Sequence, residues 1–161
     1  MFYFTTERPG WYNQKAIGRL KMMECPFCNS TLENERIIEE TRYCRVLFSS
    51  PRLVKGHLLI VPKKHVEKLS QLSAAERQNL LNTAIKYQEK IIAHFAPGCD
   101  IRQNFRPFQK QDGVKVDHLH IHLLPREFKD GLYQKCQKYE TDIFQKLSSG
   151  EIKVIKKLLQ S

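Results

Sequence analysis

His118-Leu119-His120-Ile121-His122-Leu123-Leu124 is the most informative stretch of the chain. Histidine alternates with an aliphatic residue, and the side chains of a strand point to opposite faces with period two. The imidazoles of His118, His120 and His122 therefore share one face, roughly 6.8 Å apart along the strand. Leu119, Ile121 and Leu123 turn the other way, toward a core. Half of the chain's 6 histidines fall on these alternate positions, which an ordinary half-buried strand would not produce. A row of imidazoles offers nucleophile, proton donor and metal ligand near neutral pH. The spacing predicts a strand from Val116 to Leu124, stopped by Pro125.

Working outward, Ser73 with Glu76 forms a capping box. Behind it Leu80, Leu81, Ala84, Ile85, Tyr87, Ile91 and Ile92 recur near helical spacing until Pro97-Gly98. A long helix is predicted there. Strands are predicted at Glu40 to Phe48, at Gly56 to Pro62 and at Asp100 to Phe105, with Ser49-Ser50-Pro51-Arg52 as a turn. The tail from Ser148 to Gln160 places Ile152, Ile155, Leu158 and Leu159 on one face, as in an amphipathic helix. Strands and helices mixed in this order imply an α+β fold with an antiparallel sheet. No repeat or linker divides the chain, so residues 1–161 are read as one domain: an arm (1–24), a core (25–126) and a tail (127–161).

The chain has 161 residues and a formal net charge of +10, from 27 Lys and Arg against 17 Asp and Glu. That excess raises the local concentration of anions and favours phosphate-bearing partners, without separating nucleotides from nucleic acids. No stretch approaches the ~20 apolar residues of a membrane span. Met1-Phe2-Tyr3-Phe4 is cut short by Glu7 and Pro9-Gly10 and does not form a secretory signal, so a cytoplasmic address is expected. The chain's 5 cysteines fit a disulfide framework poorly; Cys25-x-x-Cys28 reads as a metal or redox element, and Cys44, Cys99 and Cys136 occur singly. His94, at the end of the long helix, complements the helix dipole.

The histidine strand resembles the signature of the histidine triad superfamily, His-φ-His-φ-His-φ-φ with φ apolar, and fills it at every position. Gly56-His57-Leu58-Leu59-Ile60-Val61-Pro62-Lys63-Lys64-His65 is similar to the family's upstream block. The resemblance covers roughly Cys25 to Arg126. It implies a mostly antiparallel sheet of about five strands, a long helix and, usually, a homodimer joined through that helix. It also implies covalent chemistry: His120 attacks the α-phosphorus of a nucleotide, and water releases the nucleotidyl group. His57 and His122 match positions that contact phosphate, and Gln111, or Gln109, lies in a Gln-Asp-Gly loop like that of the fragile histidine triad branch. Where the family carries Gly-Gln-Ser/Thr-Val, this chain reads Gly113-Val114-Lys115-Val116; Lys115 is either a cationic contact or a solvent-facing strand lysine. Ser49 stands where the family has Asp or Asn for the ribose.

The zinc-bearing members complete a Cys-x-x-Cys pair with two histidines. The matching set is Cys25, Cys28, His65 and His118, and two thiolates with two imidazoles make a closed, structural zinc shell. His122, where transferase branches carry Gln, and Leu124-Pro125-Arg126 after it favour a hydrolase of dinucleoside polyphosphates such as diadenosine tri- or tetraphosphate. A nucleoside phosphoramidase, a diadenosine polyphosphate phosphorylase and a non-catalytic nucleotide sensor are the alternatives. A zinc-stabilised nucleic-acid-binding module is permitted by the charge but not favoured, because there is no basic stripe with interleaved aromatics and no second finger.

Overall fold

In the computed structural model, which describes residues 25–29, 34–112 and 115–160, five strands form one sheet. They are β1 (Ile37–Glu40), β2 (Cys44–Phe48), β3 (Leu58–Pro62), β4 (Gly98–Gln103) and β5 (Ile121–Arg126), in the order β1-β2-β3-β5-β4. Every pairing is antiparallel. The expected α+β architecture is present. The arm, together with Gly113 and Val114, lies outside the described residues.

Helix α1 (Ala74–His94) begins as predicted: the Ser73 hydroxyl accepts from the Glu76 N–H, and the Glu76 carboxylate accepts from the Ser73 N–H at 2.7 Å. It lies over one sheet face, where Leu80, Ala84, Tyr87 and Ile91 pack with Val46, Leu58, Ile60, Leu119, Ile121 and Leu123. The aliphatic half of the histidine stretch is therefore its core half. Leu81, Ile85 and Ile92 belong to the same periodic set but are about half exposed; they line a second, outward stripe of α1. On the other sheet face, the one that carries the histidines, Cys25 and Phe27 pack with Leu47, Leu59 and Val61.

The strand boundaries differ from the sequence expectation at several points, and β1 was not expected. Glu40 ends β1, and the next strand begins only at Cys44, because the Thr41 hydroxyl accepts from the N–H groups of Tyr43 and Cys44 and closes a hairpin. β5 starts at Ile121 and not at Val116: Leu119 donates its N–H to the Val66 carbonyl at 2.6 Å, outside the sheet ladder. β5 also runs through Pro125 to Arg126. It pairs with β3 only over Ile121 to Leu123, so Pro125 lies where β5 is paired on its β4 side alone, a position that tolerates proline.

Just ahead of β3, Gly56 has φ of +74°, and a Cβ there would lie 2.5 Å from the Phe95 ring. Glycine lets the chain turn sharply into His57 under that ring. The chain divides into two compact units, the second starting at Phe128. This second unit holds α2 (Gly131–Lys135), which the sequence reading missed, and the expected tail helix α3 (Ser149–Leu159), which Ser148 caps. No helix among the described residues is long and apolar enough to cross a membrane.

Candidate functional site

The register of the sheet builds the site. His122 on β5 stands opposite Leu59 of β3 on one side and Arg102 of β4 on the other. His57, one residue before β3, is buried beside it. The Leu53 N–H donates to His57 Nδ1 at 3.1 Å, which puts the proton of the neutral ring on Nε2. His57 Nε2 then donates to His122 Nδ1 at 3.0 Å, and the same logic places the His122 proton on its Nε2. One backbone N–H thus sets two tautomers in series.

His120 is set by a different contact. Its Nδ1 donates to the backbone carbonyl of His118 at 2.6 Å, so the lone pair lies on Nε2. Its ring packs edge-on to those of His122, 4.7 Å between centroids, and of Phe27, at 5.5 Å. The imidazoles of His57, His120 and His122 are held neutral. Burial pushes His57 down to about 4, helped by the neighbouring His120 and Arg102. Burial, the two neighbouring histidines, Arg102 and Arg106 bring His122 to about 3. Burial also lowers His120, partly offset by its bond to the carbonyl. A neutral ring with one nitrogen tied down is the form in which histidine acts as a nucleophile.

His118 does something else. Its Nε2 donates to the Pro62 carbonyl at 2.9 Å, leaving Nδ1 as the electron-pair donor. That nitrogen lies 3.3 Å from Cys25 Sγ and 3.6 Å from Cys28 Sγ, and His65 Nδ1 lies 3.2 Å from Cys28 Sγ. The four donor atoms fall within 4.8 Å of one another. A tetrahedron with metal arms of ~2.0–2.3 Å has edges of about 3.5 Å, so the set fits a tetrahedral ion. Burial, then the adjacent Cys25, push the Cys28 thiol up to about 12. Cys25, Cys28, His65 and His118 can hold a metal ion. The tight turn in which Cys28 and Asn29 donate to the Cys25 carbonyl brings the two sulfurs together, and Arg45 holds that turn through the Phe27 carbonyl.

His57, His120 and His122 line a cavity of about 560 Å³ that also takes in Ser49 and Gln111. A second cavity of about 490 Å³ shares His120 and His122 and takes in Gln109 and Lys115. The structure thus gathers every expected nucleotide-site residue around one strand. Lys115 is not a free cation: its ammonium bonds to the Asp117 carboxylate and to the Gln109 carbonyl. Gln111 accepts from the Asp117 N–H at 3.0 Å, and the Ser49 hydroxyl donates to the Pro51 carbonyl at 2.8 Å.

Sequence reasoning missed several polar residues on these walls, among them Arg36, Arg102, Asn104 and Arg106. Arg102 and Arg126 both donate to the same Asp100 oxygen at 2.7 Å, which fixes a cationic strip beside His122. The alternation of Asp100 and Arg102 along β4 was the available signal, but only the register with β5 turns it into a site.

The profile described as "HIT domain" matches residues 30–129, and the chain belongs to this family. An uncharacterised HIT-like protein of Methanocaldococcus jannaschii is 31% identical over 66% of this chain and 82% of its own length. The bifunctional bis(5'-adenosyl)-triphosphatase/adenylylsulfatase of Arabidopsis thaliana is 32% identical over 63% of this chain and 58% of its own length. The adenosine 5'-monophosphoramidase of Saccharomyces cerevisiae is 30% identical over 83% and 82%. Some relatives are much longer: the match spans 29% of the nitrilase and fragile histidine triad fusion protein of Caenorhabditis elegans. Among solved structures, a zinc-bound histidine triad family protein of Mycobacterium smegmatis shares the fold, with a TM-score of 0.58 and 24% identity over 69% of this chain and 81% of that one.

Proposed function

We propose that this HIT-domain protein is a hydrolase that cleaves dinucleoside polyphosphates at the α-phosphate through a nucleotidyl group carried on His120. The observation that supports this most is the 2.6 Å bond from His120 Nδ1 to the His118 carbonyl. It leaves a neutral Nε2 lone pair facing a cavity large enough for a nucleotide. Relatives named as a bis(5'-adenosyl)-triphosphatase and a phosphoramidase lend the substrate class.

In this reading Nε2 of His120 attacks the α-phosphorus, and the bond from phosphorus to the bridging oxygen breaks with its electron pair on that oxygen. Water then attacks the same phosphorus, the P–N bond breaks back onto Nε2, and the water's proton passes to solvent. His122 supplies its Nε2–H to a phosphoryl oxygen, an orientation set by His57. Ser49 and Gln111 contribute hydroxyl and amide groups on the cavity wall.

The donor set of two sulfurs and two imidazoles suits zinc. Bound there it would act as a closed structural tie, because all four positions of a tetrahedron are filled by side chains. The set itself anchors the Cys25–Cys28 turn to the segment that presents His120. Reduced cysteines at such a centre accord with a cytoplasmic protein. The exposed stripe of Leu81, Ile85 and Ile92 on α1, with Ile101 exposed on edge strand β4, suits a homodimer joined through the helix. The whole chain is read as serving this one activity.

Diadenosine tetraphosphate incubated with the protein should yield AMP and ATP. ADP formed only in the presence of phosphate would make it a phosphorylase. Turnover of an adenosine phosphoramidate but of no polyphosphate would make it a phosphoramidase, the second reading that the yeast relative supports.

A further inference from the structure

The two cavities that meet at His120 and His122 are unlike, and on the reading above the difference identifies the leaving group. Phe27, Leu53, Leu59 and Leu124 wall the first cavity, beside Arg36, Arg52 and Arg102; such apolar surface covers a nucleobase and ribose. The second has Val116 as its one apolar wall residue and is otherwise polar, with Arg106, Lys110 and Lys115 against the single carboxylate of Asp112. It lacks the apolar walls of the first, and the rings of His120 and His122 are shared between the two. A phosphorus held over His120 therefore has its nucleoside on one side and its departing group on the other.

We propose that the segment from Asn104 to Asp112 forms a leaving-group subsite for a phosphate chain, with Arg106 and Lys110 as the residues that read its charge. Lys115 plays a smaller part, because its ammonium is already bonded to Asp117. The chemistry requires cations on that side. When the bridging P–O bond breaks, its electron pair stays on the leaving oxygen, so the departing polyphosphate gains one negative charge at the moment of cleavage. An amine leaving group needs a proton instead, and a guanidinium, which keeps its protons, has none to give. Arg106 and Lys110 are exposed loop residues, so removing their charges leaves the core intact; Arg106 also helps to hold His122 neutral, an effect common to both substrates that cancels in their ratio.

The test measures kcat/KM for diadenosine tetraphosphate and for AMP joined by a P–N bond to a neutral amine. It uses the intact chain, Arg106→Gln/Lys110→Gln, and the control Arg42→Gln/Lys90→Gln, which removes equal charge outside both cavities. In the loop variant the ratio of the two kcat/KM values is expected to fall roughly 10- to 100-fold toward the amidate, the range over which charge steers anionic ligands. The control ratio is expected to stay within a factor of two or so of the intact chain. An unchanged ratio in the loop variant, or an equal fall in the control, overturns the subsite. Calorimetric binding of inorganic tripolyphosphate is the second arm. Weaker binding by the loop variant alone supports the subsite, and equal binding by all three proteins overturns it, whichever substrate the intact chain hydrolyses. Absence of turnover on both substrates would count against the hydrolase reading, while the binding arm still decides the subsite.

Discussion

His118 and His122 are four residues apart on one run of chain, and the molecule uses them in opposite ways. His118 ties its Nε2 proton to a backbone carbonyl and turns Nδ1 to two sulfurs. His122 has its Nδ1 occupied by His57 and keeps its Nε2 proton for the cavity. His120, between them, spends its Nδ1 proton on a carbonyl. The lesson is that residue type and strand period assemble the row, but the partner of the tied nitrogen assigns the job. One end of the row is a fastening, the other a reaction surface.

If that division is right, damage to the two ends should look different. The largest effect is expected from His120→Ala: a loss of kcat of about 10⁴-fold or more, with Tm and metal content kept. Steady-state kinetics beside elemental analysis checks it, and an equal loss of metal would erase the division. Next comes Cys25→Ser/Cys28→Ser at the fastening end. It should lose the metal and lower Tm by about 10 °C or more, with activity falling in step with the folded fraction, since the ion's binding energy is folding energy. Activity lost without a change in Tm would move the cluster into the chemistry. His57→Gln is expected to lower kcat roughly 10²-fold with little change in Tm, because the His122 tautomer is no longer imposed.

The smallest effect sharpens the same contrast through pH. Burial, then the neighbouring His120 and Arg102, hold His57 near 4; burial, then His120, His57, Arg102 and Arg106, bring His122 near 3. Both rings should stay neutral from pH 8 to pH 5 in histidine NMR titrations. The unfolded chain takes up those protons near 6.5. Stability should therefore be full above about 6.5 and fall as pH drops toward the folded values. A ring that titrates near 6.5 in the folded protein would contradict the burial described here.

Much of this was legible in the sequence, for identifiable reasons. Period two in residues 118–124 separated the α1-facing aliphatics from the histidines, and the Ser73/Glu76 box fixed the start of α1. The metal set was legible through family resemblance, because spacing gives the Cys-x-x-Cys pair but not its distant histidines. What stayed hidden depends on long-range partners. That Leu119 bonds to Val66 and delays β5 is not written in either segment. Arg102 becomes a wall residue only through its register with His122, and Lys115 is taken up by Asp117. The outward stripe of Leu81, Ile85 and Ile92 has the same helical spacing as the core stripe and differs only in what α1 lies against.

The central claim is that His120 carries the nucleotidyl group. The most direct measurement is mass spectrometry of the protein quenched in base during turnover of diadenosine tetraphosphate, with peptide mapping of any adduct. The account predicts an added mass of one AMP unit on the peptide that contains His120, absent from His120→Ala. Turnover to AMP and ATP with no adduct at any time, or with the adduct on another residue, would contradict it.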